Sequence, residues 1–498
     1  MDVGVEIGPG RLRGVRRPSG IACFLGVPFA APAVGARRFL PPEPPEPWAG
    51  VRDALSFAAS APQRDVAGPL GEMIGIGAGD IDEDCLHLNV FTPGPGGSPR
   101  PVLVWVHGGG NLVGSAAQPR MDGERLARRG DVVVVTFNYR LGALGFLCAR
   151  ELGASGNQAL LDQVAALRFV RSEIAAFGGG PSNVTVFGQS AGGIDIAELL
   201  ALDPAKGAFD KAILMSGSLR PHVSREQAER TAQLFAEPFG GIGKLRDVEV
   251  GALIDRQAEL ARDPIAGVHR FAPTRDGELI RDPAERAIAQ GRIDRGIPLL
   301  CGTTRHEWNL FSAFDPRATD LTPETLAHRI ERRAPGRSSA AIELYRETRA
   351  ARGEPTDPLS LWNAFMTDES FRMPAIRTAK LHARHTPATY VYRFDRESPA
   401  LGGRLGACHS IDVPFVFGTH DLETLQPLLG SEAGIGALSS RIMDAFTAFA
   451  RSGDPTTTAL PTWPRYAEDT RHVMLFADAC RTEADPEAEQ RHFWETLR

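Results

Sequence analysis

The segment Gly188-Gln189-Ser190-Ala191-Gly192 follows the apolar run Val184-Thr185-Val186-Phe187 and precedes a helix-compatible stretch. A serine between a buried strand and a helix sits on a sharp turn with its Oγ lifted over the end of a sheet. The residues two positions to either side then have no room for a Cβ. The two glycines are a steric requirement of that turn, and the fold must supply a central strand that ends there. In a chain with 53 glycines the bare pattern arises by accident about 0.3 times. The flanking strand and helix therefore carry the constraint, more than the five residues themselves.

Short β-like runs recur at Val102 to Val106, Val132 to Phe137, Val184 to Phe187, Ala212 to Met215, Pro298 to Cys301 and Thr389 to Phe394, with helix-length stretches between most of them. This alternation predicts an α/β fold, a mostly parallel central sheet with helices on both faces. The clearest helix is Gln158 to Phe177, where Leu160, Val164, Leu167, Val170, Ile174 and Phe177 fall on one face, with Asn157 as N-cap and Gly178 as stop. Helical, Arg/Glu-rich sequence interrupts the strand rhythm around 221–290 and 315–380. These stretches read as insertions that roof the carboxyl ends of the strands, where open α/β sheets bind ligands. Pro41 to Pro47 reads as an extended surface crossing, and no internal repeat divides residues 1–498, so one domain is expected.

With 43% hydrophobic and 23% charged residues the chain has ample material for a core, which excludes a mainly disordered protein. A formal charge of −6 gives no basic surface for nucleic acid. The arginine groups Arg125, Arg128, Arg129 and Arg329, Arg332, Arg333 read as solvated helix faces. No apolar run approaches the roughly 18 residues of a membrane span. The N-terminal residues show no signal-peptide pattern, and the cytoplasm is the expected location. Cys23, Cys85, Cys148, Cys301, Cys408 and Cys480 have no metal-binding spacing and read as free thiols, Cys408 as a buried filler.

Acyl transfer through a serine needs an exposed hydroxyl, an imidazole base, a carboxylate to orient it, and backbone donors for the oxyanion. His107-Gly108-Gly109-Gly110, after the strand Pro101 to Val106, lets backbone N–H groups approach a substrate oxygen closely; Gly109, Gly110 and Ala191 are the expected donors. His409 lies on the small-residue loop Gly406 to Ser410, where an imidazole can turn; His420, His472 and His492 lack that setting. Glu307 follows an apolar strand and a polar turn, but on these grounds Asp294 and Asp315 remain rivals for the acid.

The chain resembles the type-B carboxylesterases, the branch of the α/β-hydrolase fold that includes the cholinesterases. The resemblance runs from about Val3 to Trp463-Pro464-Arg465-Tyr466. It is carried by Phe24 to Ala30, Arg38-Phe39, Glu83 to Val90, His107 to Gly110, Asn138-Tyr139-Arg140, Gly156-Asn157, Leu161-Asp162-Gln163, Phe177-Gly178-Gly179 and the elbow. It implies an α/β-hydrolase fold with Ser190 as nucleophile, Glu307 as acid and His409 as base, and with Gly109, Gly110 and Ala191 as oxyanion donors. It further implies a small-molecule ester substrate and no metal or cofactor; oligomeric state is left open. Three departures stand out. Gln189 replaces the glutamate that usually precedes the nucleophile, which makes cationic substrates a poorer match. His306 and Trp308 replace small or acidic residues around the acid. Ala61 stands where secreted relatives carry the disulfide partner of the cysteine matched by Cys85. Two rival readings are a hydrolase of amides or carbamates using the same triad, and a non-catalytic scaffold of this fold.

Overall fold

Among the described residues fifteen strands form, most of them where β-branched and aromatic residues run between turn signals. They are β1 Asp2–Ile7, β2 Gly10–Arg16, β3 Ala22–Pro28, β4 Val51–Asp53, β5 His87–Thr92, β6 Arg100–Val106, β7 Val133–Phe137 and β8 Gly179–Gln189, followed by β9 Lys211–Met215, β10 Val223–Ser224, β11 Thr274–Arg275, β12 Leu299–Thr304, β13 Thr389–Phe394, β14 His472–Phe476 and β15 Arg481–Ala484. The computed structural model describes residues 1–65, 71, 79–220, 222–261, 271–293, 296–318 and 320–497.

The central sheet runs β1-β2-β3-β5-β7-β6-β8-β9-β12-β13-β14-β15, with β4 beside β2. From β7 to β14 every neighbouring pair is parallel; the pairs β1–β2, β2–β3, β3–β5, β5–β7 and β14–β15 are antiparallel. The six runs singled out from the sequence all lie in the parallel part. In the antiparallel flanks, β1 and β2 escaped that reading because they bury only alternate residues and so show no continuous apolar run, while the buried β3 and β5 carry Gly26 and the polar His87 and Asn89 among their apolar residues.

Side chains alternate across the sheet. Val102, Val104 and Val106 of β6 enter one apolar layer with Val184 and Val186, while Leu103, Trp105 and Phe187 enter the other. The first layer is covered by Gln158–Glu173 and Ala191–Leu199, and the second by Ile435–Ser452. The predicted face of the 158–177 helix is buried as expected, with its last turn, Ile174–Phe177, tightened to a 3-10 helix that Gly178 stops at φ 82°. Asn157 holds the N-cap position, its backbone carbonyl accepting Leu161 N–H at 3.2 Å, but its side chain makes no capping bond. Its side-chain amide instead donates to Thr274 O at 2.8 Å and its Oδ1 accepts Thr274 N–H at 2.9 Å, which ties the helix start to β11.

Register fixes where the chemistry can sit. Val106 pairs with Gly188, Gln189 with Met215, and Met215 with Gly302, so β6, β8, β9 and β12 all end at one rim. Helices occupy much of the two expected insertions, among them Arg225–Ala236, Ala284–Ala289, Pro323–Glu331, Ser338–Ala351, Pro358–Thr367 and Met373–Ala383. Residue 221 and residues 262–270, inside the first insertion, lie outside the described residues. In the two arginine groups Arg125 pairs with Asp421, Arg129 with Asp444 and Arg333 with Glu369, Arg329 lies over Trp362, and Arg128 and Arg332 are exposed. All six cysteines are free, and burial pushes the Cys408 thiol up to about 12, which suits a filler and not a nucleophile. Among the described residues no helix is long and apolar enough to cross a membrane.

Candidate active site

Ser190 joins β8 to the helix Ala191–Leu199 with φ 57° and ψ −124°, a backbone conformation that costs a non-glycine residue about 1–3 kcal/mol. The strained turn is held by Ser190 N–H donating to Met215 O at 2.9 Å. A Cβ on Gly188 would stand 2.7 Å from Val106 O, and one on Gly192 would stand 2.2 Å from the same oxygen. The sequence predicts that neither position has room for a Cβ, and the structure shows that the obstacle is the close approach of β6.

The turn His107 to Gly110 leaves β6 beside the elbow; a Cβ on Gly108 would stand 3.0 Å from Ser190 Cβ. Among the described residues, the N–H groups of Gly109, Gly110 and Ala191 donate to no protein acceptor. Ala191 opens a helix, so its N–H has no intrahelical partner and sits at the positive end of the helix dipole. The turn is braced from behind. Tyr139 Oη donates to His107 O at 2.7 Å and its ring stacks on the His107 imidazole at 4.4 Å. Asn111 Nδ2 donates to Asp195 Oδ1 at 3.1 Å, and Gln163 Nε2 to Asp195 Oδ2 at 2.6 Å. Burial pushes the Asp195 carboxyl up to about 7 against the pull of those two amides, and burial holds His107 down at about 4, neutral. Tyr139, Gln163 and the neighbouring Arg140–Asp162 ion pair, with N···O distances of 2.8 and 2.6 Å, give the matching sequence motifs a bracing role.

Glu307 opens the short helix after β12 and is fully buried. Its Oε1 accepts Thr304 N–H at 2.8 Å and its Oε2 lies 2.6 Å from His409 Nδ1. His409, 5% exposed, presents its other nitrogen to the elbow: Nε2 lies 3.0 Å from Gln189 Nε2. Ser190 Oγ makes no hydrogen bond to a described residue. The structure thus brings Glu307 and His409, the expected acid and base, together and seats the imidazole against the residue adjoining the serine, with Gln189 as the partner of its Nε2. The rivals fall elsewhere. Asp315 is bound to Arg317, and Asp294 lies outside the described residues. His420 stacks on Phe415, His472 pairs with Ala484 at the sheet edge, and His492 meets Arg491.

His306, one of the departures from the family pattern, joins the Glu307 and His409 loops. Its N–H donates to Ala407 O at 2.9 Å and its Nδ1 accepts Ala407 N–H at 3.1 Å; burial holds the ring at about 4, the neutral state this acceptor role needs. Trp308 enters an aromatic group with Phe311 and Phe371, whose rings lie 5.1 and 4.9 Å from the His409 ring. Phe311 stays 40% exposed. Arg220, on the loop after β9, lies 5.1 Å above Phe371 and donates to Ser370 O at 2.7 Å. The sequence reading did not single out Phe311, Phe371 or Arg220. An isolated aromatic or arginine in a helical insertion carries no local signal of which strand end it will face.

A sequence model of the carboxylesterase family matches residues 2–494. The para-nitrobenzyl esterase of Bacillus subtilis (strain 168) is 38% identical over 97% of this chain and 96% of its own. The phenmedipham hydrolase of Pseudarthrobacter oxydans is 35% identical over 92% of each. Among solved structures, a carboxylesterase of Geobacillus stearothermophilus superposes with a TM-score of 0.87 at 37% identity, covering 99% of both chains.

Proposed function

The chain belongs to the carboxylesterase family and is a carboxylic ester hydrolase of the α/β-hydrolase fold, and on that premise we propose that Ser190, His409 and Glu307 form its catalytic triad. The observation that carries this reading is the 2.6 Å contact of the buried Glu307 carboxylate with His409 Nδ1, on an imidazole seated beside the strained elbow. A carboxylate on Nδ1 fixes the tautomer with its lone pair at Nε2 and stabilises the cation that forms when Nε2 takes a proton.

In the proposed reaction His409 Nε2 removes the proton of Ser190 Oγ as the oxygen attacks the ester carbonyl. The carbonyl electron pair moves onto oxygen, where the free N–H groups of Gly109, Gly110 and Ala191 are available to bind it. The C–O bond to the alcohol then breaks as His409 returns its proton to the leaving oxygen. Water attacks the acyl-serine with His409 again as base, and collapse of the second tetrahedral intermediate releases the acid and restores the serine. Substrates are small esters whose apolar part lies against Phe311 and Phe371. Residues 1–498 act as one domain whose insertions around 221–290 and 315–380 wall this site; the places of Arg220 and Phe371 beside them support that reading. Six unpaired cysteines support a reducing compartment such as the cytoplasm.

The test is a panel of para-nitrophenyl and para-nitrobenzyl esters of graded acyl length, each run beside the matching anilide. Faster ester turnover, lost in Ser190→Ala, is expected. Faster anilide turnover would assign the triad to amides instead.

A further inference from the structure

The imidazole nitrogen that must accept the serine proton already has a partner. Gln189 ends β8, two residues after Phe187, so both side chains leave the strand on the same face. It is 2% exposed, and its Nε2 lies 3.0 Å from His409 Nε2. Two nitrogens at that distance must be one donor and one acceptor. The carboxylate on Nδ1 requires N–H there, which leaves a lone pair on Nε2. A primary amide nitrogen has two N–H groups and no lone pair to offer. The bond therefore runs from Gln189 N–H to the His409 lone pair, which also fixes which way the amide faces.

An sp² nitrogen carries one in-plane lone pair, so the Gln189 amide and the Ser190 hydroxyl compete for it. In this structure the amide holds it and Ser190 Oγ has no partner among the described residues. We propose that Gln189 is a positioning residue that caps the catalytic base between turnovers and must release it before Ser190 can be activated. The proposal rests on the triad reading above. Once Nε2 is protonated its N–H faces the amide's N–H, and the cap is repelled for as long as the imidazolium lasts. A glutamate at the same place would do the reverse, pairing with the imidazolium and holding it charged.

The charged groups around His409 are few. Glu307 sits on Nδ1, Arg220 lies beyond the Phe371 ring, and Asp412 lies three residues along the chain, interacting with Glu307 and with Arg120. The Phe311 and Phe371 faces are apolar. Changing residue 189 leaves all of these in place, so a change in titration is read against a constant background.

The experiment follows inactivation by phenylmethylsulfonyl fluoride from pH 5 to 9, with the adduct located by mass. It uses the wild type, Gln189→Met, which keeps length without a donor, and Gln189→Glu, each shown folded by its melting curve. Loss of one competing hydrogen bond predicts a 2- to 10-fold higher plateau rate in Gln189→Met. The acid-side midpoint in Gln189→Glu should rise by about one pH unit or more. An equal or lower plateau rate in a folded Gln189→Met overturns the cap, as does an unmoved midpoint in Gln189→Glu. Ser190→Ala separates the two levels: sulfonylation that persists there, on another residue, defeats the triad reading itself. Its loss there, with Gln189→Met unchanged, defeats only the cap.

Discussion

The two halves of the site are built by different means. The nucleophile half, made of the elbow, the turn 107–110 and the helix Ala191–Leu199, is set by neighbours in sequence and by adjacent parallel strands. The elbow glycines Gly188 and Gly192 are those that β6 would strike. The base half joins Glu307 to His409 across 102 residues and His409 to Gln189 across 220. It is held by two His306–Ala407 hydrogen bonds and an aromatic group. Local sterics make the first half rigid wherever the strand ends. The second exists only once distant loops have packed, and it is where a side chain can take one of two partners.

The largest effects should come from the groups proposed to react. Ser190→Ala is expected to lower turnover about 10⁶-fold with the melting curve unchanged, the sharpest statement that the first half carries the bond-making atom. Glu307→Gln should cost about 10⁴-fold, because an amide on Nδ1 allows the wrong tautomer and does not stabilise the imidazolium. If it costs less than tenfold, the second half is not an acid–base pair and the comparison breaks.

These two predictions also divide what was legible beforehand. Ser190 could be found from its strand, its glycines and the following helix, because the constraint on it is short-range. The same holds for the glycines after His107: a Cβ on Gly108 would meet the elbow and one on Gly109 would meet Val113 O, while Gly110 is set by its φ of 64°. Glu307 could not be separated from Asp294 or Asp315 by local pattern, since what selects it is a contact with a loop a hundred residues away; only the family resemblance singled it out. Gln189 was visible as a lost negative charge, but its bond to the base depends on where that loop lands. The parallel core of the sheet was readable from apolar runs. Its antiparallel flanks were not: β1 and β2 are half exposed and alternating, and β3 and β5, though buried, interrupt their apolar residues with Gly26 and Asn89.

Stability measurements sharpen the comparison further. Asp162→Ala leaves the Arg140 guanidinium buried without its carboxylate, which should cost about 3–5 kcal/mol in denaturant unfolding. Gly192→Ala forces a Cβ toward Val106 O and should cost about 1–3 kcal/mol, with loss of activity outrunning loss of stability because the elbow itself must shift. The smallest effect belongs to Asp412 in the base half. Burial, with Glu307 nearby, raises its carboxyl from 3.8 to about 7, and its Oδ1 has no hydrogen-bond partner. A raised carboxyl favours the fold fully below the unfolded value near 4, and that contribution is lost as pH climbs toward 7 and above. Asp412→Asn cannot ionise, so the fall in melting temperature between pH 4.5 and 8.5 should shrink by about 2–4 °C. An undiminished fall would show that the carboxyl is not held protonated.

The most direct test of the convergence of Ser190, His409 and Glu307 is peptide mapping after reaction with diethyl para-nitrophenyl phosphate. The account predicts one phosphoryl group per chain, on the peptide containing Ser190, absent from Ser190→Ala and formed at least a hundredfold more slowly in His409→Ala, a factor of about 10²–10⁴ being usual for a general base. A label on another residue, or undiminished labelling without the imidazole at 409, would contradict it.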